Sequence, residues 1–283
     1  MPQHPFTVAA IQPFVPQDAA DNREMQETSW RLCESAVTNG ARLVVLPEYF
    51  NVLGIPPDQA DAAIQDCTAV RETATQFSRR HDMWLLLPLI EQRHGNRYNT
   101  AHLFGPEGHI IYTYDKTHLT IGEQRTYGLE PGKAITSVHT ELGMVGVMIC
   151  YDMYFPEVAQ LLALNQTQLI LFPSRQQSDN EEAVMLMNRV RAMDSSCYLI
   201  RSSYGQRTGT AYAPGMQYGG SCIVDPDGSV LASAGRHEGL AIAQIDPKTP
   251  WQRTRCGGMP PQPVRQFLSE DRRPELYDRI ADR

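Results

Sequence analysis

Three side chains in this sequence are suited to covalent chemistry at a carbonyl carbon, and each follows an apolar, strand-like run. Glu48 comes after Leu43-Val-Val-Leu46 and Pro47, Lys116 after Ile110 to Tyr114, and Cys150 after Val145 to Ile149. Opening an amide through a thioester needs a nucleophile, a base that takes the thiol proton and returns it to the leaving amine, and a fixed positive charge where the oxyanion develops. Cysteine, glutamate and lysine supply those three roles. Each residue also has a plain alternative: an inert buried thiol, a helix-start carboxylate and a solvated loop charge.

The elements that must position them are legible from periodicity. Phe6 to Ile11, Leu43 to Leu46, Met83 to Ile90, Tyr98 to Phe104 and Ile110 to Tyr114 read as strands, the last two joined as a hairpin by the Gly-Pro-Glu-Gly turn at 105–108. Asp21 to Thr38 has one apolar face and reads as a helix, and a second helix lies within Pro57 to Arg80. Thr117 to Gly132 reads as a long irregular loop. Strands at Ile135 to Val138 and Val145 to Ile149 lead to Cys150, and Pro156 pre-sets the helix Glu157 to Leu164. A thiol at such a strand-to-helix turn is expected to have a lowered pKa, because the helix N-terminus favours thiolate.

Leu169 to Phe172 is a further buried strand, ending in Pro173-Ser174-Arg175. Glu181 to Ser196 reads as a helix and Tyr198 to Ser202 as a strand. Ser221 to Val224, Val230 to Ala232 and Ala241 to Ile245 read as a meander, and the tail from Thr249 has little periodicity. The apolar strands Val44 to Phe50 and Ile170 to Arg175 echo one another, which predicts two similar α/β halves packed sheet to sheet in a single domain over 1–283, with 249–283 as a C-terminal arm.

Composition excludes several classes of function. With 283 residues, 42% of them hydrophobic, the chain can bury a large core. A net charge of −7 without any Lys/Arg block offers no footprint for nucleic acid. No apolar run approaches the length of a membrane span, and the N-terminus lacks the basic-then-apolar pattern of a secretory signal. Cys33, Cys67, Cys150, Cys197, Cys222 and Cys256 have no C-x-x-C spacing, so reduced thiols in a cytoplasm are expected, with no metal or other cofactor. The stretch Gly128-Leu-Glu-Pro-Gly-Lys133 is one residue short of a P-loop and is followed by Ala134 in place of the required hydroxyl residue.

Leu46-Pro-Glu-Tyr49, Tyr114-Asp-Lys-Thr-His-Leu119 and Ile149-Cys-Tyr-Asp152 with Phe155-Pro-Glu157 resemble, in order, the three signature segments of the nitrilase superfamily, the carbon-nitrogen hydrolases. Further matches run nearly end to end, among them Tyr98-Asn-Thr100, Pro131-Gly132, Phe172-Pro-Ser174, Arg189-Val-Arg-Ala192 and Ile223-Val-Asp-Pro226. The resemblance implies a four-layer α-β-β-α sandwich of two stacked mixed sheets flanked by helices. It also implies a homodimer or higher homo-oligomer, paired through helices such as Glu157 to Leu164 and Glu181 to Ser196, with the arm crossing to a partner.

Carried over, the resemblance makes Cys150 the nucleophile, Glu48 the general base and then acid, and Lys116 the oxyanion stabiliser, aided by the Tyr151 backbone N–H. A second glutamate that holds the lysine is expected at Glu123, with Glu130 as its rival. At Asp194 relatives carry glutamate, a change expected to touch a structural hydrogen bond. Cys150-Tyr-Asp152 is similar to amidases and carbamoyl-amide hydrolases, whereas nitrilases carry tryptophan and glutamate after the nucleophile. The implied reaction is hydrolysis of a small-molecule amide to acid plus ammonia.

Three points stay open on sequence alone. His118, close to Lys116, would serve a papain-like cysteine hydrolase as base, and a non-catalytic binding member would retain the same fold. Arg175 reads either as a site for a substrate carboxylate or as a solvated loop charge. Tyr49, Tyr151 and Phe155 read either as apolar walls of the site or as core around the turn.

Overall fold

The computed structural model describes residues 5–176, 180–210 and 219–281. Strands β1 (Phe6–Gln12), β2 (Ala41–Val45), β3 (Trp84–Arg93), β4 (Asn96–Phe104) and β5 (Ile110–Asp115) form one sheet, and β6 (Ser137–Thr140), β7 (Gly143–Val147), β8 (Leu169–Pro173), β9 (Tyr198–Ser202), β10 (Cys222–Val224) and β11 (Val230–Ser233) form another. A last strand, β12 (Gly239–Ile245), returns to the first sheet, giving the orders β12-β1-β2-β3-β4-β5 and β11-β10-β9-β8-β7-β6. In both sheets three neighbouring strands run parallel and the outer ones antiparallel.

Each parallel strand is apolar on both faces, as a strand covered on both sides must be. Val8, Val45 and Leu86 meet Val147, Leu171 and Ile200 between the sheets. On the outside of the first sheet, α1 (Ala19–Thr38) and α3 (Thr68–His81) place Met25, Cys33 and Phe77 against Val44 and Leu85. On the outside of the second, α5 (Pro156–Leu164) and α6 (Glu181–Ser195) place Val158, Leu162 and Ala192 against Ile170 and Leu199. The layers are therefore α-β-β-α, as the resemblance implies.

The helix read within Pro57 to Arg80 is α3, preceded by a 3-10 turn at Pro57–Gln59 and by α2 (Asp61–Gln65), with a break where Asp66 is extended. Three local readings are corrected. The strand read at Ile135 to Val138 is displaced to β6. The loop Thr117 to Gly132 contains α4 (Ile121–Tyr127), too short to show periodicity but closed by a capping box, in which Thr120 Oγ1 accepts from Glu123 N at 3.2 Å and Glu123 Oε2 from Thr120 N at 2.7 Å. The C-terminal meander is a hairpin, β10 and β11, followed by a crossing: β12 pairs antiparallel with β1, Phe6 opposite Ile245. Alternation of side chains marks a strand without naming its partner; β12 is the edge strand of the first sheet, with Ala241 and Ile245 buried between the sheets.

The tail holds a short ribbon, β13 (Gln252–Arg253) with β14 (Gln262–Pro263), then α7 (Val264–Glu270) and α8 (Asp278–Ala281). It is tied to the body by Arg265, whose Nη2 donates to Ser196 O at 2.9 Å.

One glycine matters for the site. Gly132 N donates to Lys116 O at 2.8 Å, and a Cβ at Gly132 would stand 2.1 Å from Asp115 O. Gly132→Ala is therefore expected to cost at least about 2 kcal/mol in urea unfolding and to depress kcat/KM, because the strand end carrying Lys116 must shift. An unchanged unfolding midpoint would contradict this packing.

Candidate active site

The catalytic candidates come from ends of different strands, where open α/β sheets bind ligands. Glu48 follows β2, Lys116 follows β5, Cys150 follows β7, and Arg175 follows β8. Lys116 Nζ donates to Glu48 Oε1 at 2.9 Å and to Glu123 Oε1 at 2.8 Å, so the ammonium is held between two carboxylates. All three residues are buried. Glu130, the rival second glutamate, is exposed and stands apart.

Asn99, from β4, donates through Nδ2 to Glu48 Oε1 at 2.8 Å and to Glu123 Oε1 at 3.0 Å. The other Glu48 oxygen accepts from the backbone N–H of Arg175 at 2.8 Å, and its carbonyl accepts from Tyr204 Oη at 2.6 Å. Three donors thus hold the carboxylate, and a fourth, Tyr204, holds its backbone. Asn99 and Tyr204 were not legible as site residues, although an asparagine in the middle of a strand was a signal, since that residue type is depleted there.

Electrostatics follow from this packing. Burial works to neutralise Lys116, but the charges around it, Glu48 foremost, outweigh it and hold the ammonium above the ordinary lysine range. Burial would likewise raise Glu123, yet the Lys116 charge and hydrogen bond hold it below the usual carboxylate range. Cys150 overturns the expectation of a lowered pKa: burial first, and then the Glu48 charge, push its thiol up to about 12, with Lys116 pulling the other way. The physical reason is local. A 3-10 turn, Cys150–Tyr154, separates β7 from α5, so the sulfur lies beside a carboxylate rather than in the first turn of the long helix. Ionisation of the Cys150 thiol is thus disfavoured by its burial and by the Glu48 carboxylate beside it.

Cys150 has φ 45° and Tyr49 φ 62°, left-handed conformations that cost a side-chain-bearing residue on the order of 1–3 kcal/mol and persist only where the surroundings enforce them. For Cys150 the enforcement comes from buried Asp152. Its Oδ2 accepts from Ile149 N and Tyr114 Oη, both at 2.8 Å, and its Oδ1 from His118 N at 3.0 Å and Thr117 Oγ1 at 3.1 Å. One carboxylate thereby clamps the nucleophile turn to the segment that carries Lys116. From behind, Arg191 Nε donates to Met153 O at 2.9 Å while its Nη1 pairs with Asp194 at 2.9 Å, which gives Asp194 the structural role expected of it.

His118 does not serve the sulfur. Its Nδ1 lies 3.0 Å from Asp152 Oδ1 and its ring stacks on Phe155 at 3.9 Å, which leaves the papain-like pairing without support. Asp152→Asn turns an amide N–H toward groups that already donate, so a loss of about 2–3 kcal/mol in stability is expected, with kcat falling and KM little changed. Unfolding curves and steady-state kinetics test it, and a wild-type kcat would refute the clamp.

The aromatic residues divide. Tyr49 lies 6.2 Å from the Tyr127 ring, and burial, then the charges of Glu48, Glu123 and Cys150, push its phenol up. Tyr151 packs edge-on to Phe155 at 5.3 Å and against Tyr154 at 5.4 Å, an aromatic cluster on the nucleophile turn. Arg175 is half-buried, its Nε has no partner among the described residues, and its charge reaches Tyr127 and Tyr204. It is not a freely solvated loop arginine.

A family model described as carbon-nitrogen hydrolase matches residues 7–253. The chain belongs to the carbon-nitrogen hydrolases. Within this family it is similar to an omega-amidase NIT2 of Danio rerio, 31% identical over 253 residues that span 85% of this chain and 88% of the relative. It is also similar to a deaminated glutathione amidase of Synechocystis, 30% identical over 258 residues, 86% and 92% of the two chains. Among solved structures, Nit3 of Saccharomyces cerevisiae, of branch 10 of the nitrilase superfamily, superposes with a TM-score of 0.71 at 28% identity, covering 86% of this chain and 90% of its own. An amidase from Nesterenkonia superposes at 0.74 over 99% and 98% of the chains, and at 22% identity it corroborates the fold alone. As a carbon-nitrogen hydrolase of the amidase branch, the protein is an enzyme that cleaves carbon–nitrogen bonds through a cysteine.

Proposed function

We propose that the enzyme is an amidase that hydrolyses a small primary amide bearing a remote carboxylate, through a thioester on Cys150. The observation that carries this reading is the Lys116 ammonium held at 2.9 and 2.8 Å between two buried carboxylates, one of which lies beside the thiol. Glu48 takes the thiol proton as sulfur attacks the amide carbon, and the oxyanion is met by Lys116 and the Tyr151 N–H. Glu48 then returns the proton to the departing nitrogen, releasing ammonia, and afterwards activates the water that hydrolyses the thioester. Glu123 orients Lys116, and Tyr49 walls the amide.

A neutral thiol suits this sequence, because proton transfer in step with attack avoids a buried thiolate. The Tyr-Asp after the cysteine and the relatives' names, omega-amidase and deaminated glutathione amidase, favour amides over nitriles. The half-buried Arg175, tied by its backbone N–H to Glu48 and without a partner at Nε among the described residues, is the proposed partner of the substrate carboxylate.

We take 1–283 as one catalytic unit with 249–283 as an arm. Exposed Leu161, Leu164, Leu186, Val190 and Met193 on α5 and α6 support pairing of subunits through those helices. Among the described residues no helix is long and apolar enough to cross a membrane. Six unpaired cysteines support a cytoplasmic setting, and the acidic charge supports a small molecule rather than nucleic acid as ligand.

Ammonia release tests the reading across neutral aliphatic amides, ω-amides of dicarboxylates, N-carbamoyl amino acids and nitriles, with Cys150→Ala as blank. The ω-amides are expected to lead, and Arg175→Ala to lower their kcat/KM by about 10–100-fold while leaving neutral amides within about twofold. Equal effects on both classes would remove the carboxylate from the proposal, and turnover of nitriles or carbamoyl compounds alone would replace it.

A further inference from the structure

Asn99 lies on β4, whose Ala101 and Leu103 face the core between the sheets, and alternation turns its side chain the same way. It is fully buried. Its carbonyl accepts from Lys116 N at 2.8 Å, and its Nδ2 donates to Oε1 of Glu48 at 2.8 Å and to Oε1 of Glu123 at 3.0 Å. One residue therefore fixes the chain at Lys116 and both carboxylates that hold its ammonium. The orientation of the amide is dictated, because ionised carboxylates only accept and only the NH2 end can face two of them. Its Oδ1 is then buried without a partner among the described residues, a cost that packing alone does not offset.

Lone pairs separate the roles of the two glutamates, since each carboxylate oxygen accepts about two hydrogen bonds. Glu123 accepts at Oε1 from Lys116 and Asn99, and at Oε2 from Thr120 N at 2.7 Å and Thr120 Oγ1 at 3.0 Å. Both of its oxygens are filled. Burial would raise its pKa, and Lys116, Thr120 and Asn99 together hold it below the usual carboxylate range. Glu48 accepts at Oε1 from the same two donors, but at Oε2 only from Arg175 N at 2.8 Å. The open acceptor position in this pair of carboxylates is thus on Glu48 Oε2. Lys116 gives one N–H to each glutamate and keeps the remaining one for the oxyanion.

We propose that Asn99 is a positioning residue for proton transfer: by filling the second acceptor position on Oε1 of both glutamates, it confines the exchanged proton to Oε2 of Glu48 and keeps Glu123 out of the exchange. The inference rests on Glu48 being the base. As the Sγ–C bond forms, the thiol proton passes to Oε2 and the carbonyl π pair to the amide oxygen. As that pair returns and the C–N bond breaks, the proton passes from Oε2 to the leaving nitrogen. Asn99 acts on both transfers through the two carboxylates. Without its amide, Oε1 of each glutamate has an open position and Lys116 alone restrains the pair.

Ammonia release from glutaramate and butyramide, an acidic and a neutral amide, by the wild type, Asn99→Leu, Asn99→Asp and Glu48→Gln tests it. Asn99→Leu is expected to lower kcat by about 10–100-fold with KM within about threefold, since no contact to substrate is lost. Asn99→Asp keeps the shape and replaces the donor by a carboxyl faced by Lys116, Glu48 and Glu123, with Cys150 and Tyr49 also within reach of those charges. Ionised, that carboxyl repels both glutamates; protonated, it donates to one of them, and its two like-charged neighbours favour the protonated form. The deficit of Asn99→Asp relative to wild type is therefore expected to shrink by at least about tenfold as pH falls from about 8 to about 6. Circular dichroism at each pH confines the comparison to folded protein, and this pH response carries the test if Asn99→Leu does not fold. With Glu48→Gln inactive, a kcat for Asn99→Leu within about twofold of wild type, or an Asn99→Asp deficit independent of pH, would overturn the role of Asn99 alone. So would a rise in KM matching the fall in kcat, which would place Asn99 in substrate binding. Activity retained by Glu48→Gln would overturn the base assignment and this inference with it.

Discussion

Glu48→Gln is expected to abolish turnover, lowering kcat/KM by at least about a thousandfold, while His118→Ala retains at least about a tenth of wild-type activity. The glutamate sits in a cradle of donors only: Lys116 Nζ and Asn99 Nδ2 on one oxygen, the Arg175 N–H on the other. A carboxylate accepts from all of them and still has a lone pair for the thiol proton. A glutamine must point an amide N–H at one of these donors, carries no charge to keep Lys116 in place, and is not a base. His118 is spent on Asp152 and stacked on Phe155, so its removal disturbs the turn without removing a proton acceptor from the sulfur. Ammonia release by the two variants decides between the bases, and the reverse order of activities would favour a cysteine–histidine pair.

Lys116→Met is expected to cost more than catalysis. Loss of the cation that meets the oxyanion lowers kcat by about 10²–10³-fold. It also leaves Glu48 and Glu123 facing one another with only Asn99 between them. Breaking a buried ion pair from one side destabilises by about 3–5 kcal/mol. The pH dependence carries the signature. In the wild type Glu123 is depressed, so its contribution to stability is present above the ordinary carboxylate pKa and is lost as pH falls through its lower folded value. Lys116 is raised, so its contribution is complete below the ordinary lysine pKa and is lost only as pH rises through its folded value. Without the ammonium, two like charges share the site and one carboxyl is pushed up rather than down. The variant's deficit should therefore shrink as pH falls from 7 toward about 4, where the pair takes up a proton. Urea unfolding of both proteins across that range tests it, and a deficit independent of pH would show that the two carboxylates are not coupled through Lys116.

What the sequence determined by itself is the set of strongly local decisions. Apolar runs such as Val44–Val45 and Ile170–Leu171 are too short for helices and too apolar for an exposed face, so they declared buried strands. Pro47, Pro156 and Pro173 declared where those strands and turns end, and the chemical types of Glu48, Lys116 and Cys150 declared what could be done at their ends. Glu123 was singled out only through the family resemblance, with Glu130 as its rival; the capping box that fixes it belongs to a helix the sequence did not show.

Only the tertiary structure decided what depends on distance through space. β12 joins β1 across more than two hundred residues of sequence, pairing antiparallel at the edge of the first sheet and burying Ala241 and Ile245 between the sheets. Asn99 and Tyr204 enter the site because the interior of β4 and the segment just after β9 lie beside Glu48, a neighbourhood that no spacing in the chain encodes. The direction of the Cys150 shift likewise comes from its surroundings: desolvation and an adjacent carboxylate push the thiol pKa up, against what a strand-to-helix turn would do alone. Hydrogen-bond propensity and side-chain period act over a few residues, whereas burial and charge act across the fold. The first could be read in order along the chain, and the second existed only once the two sheets had closed on one another.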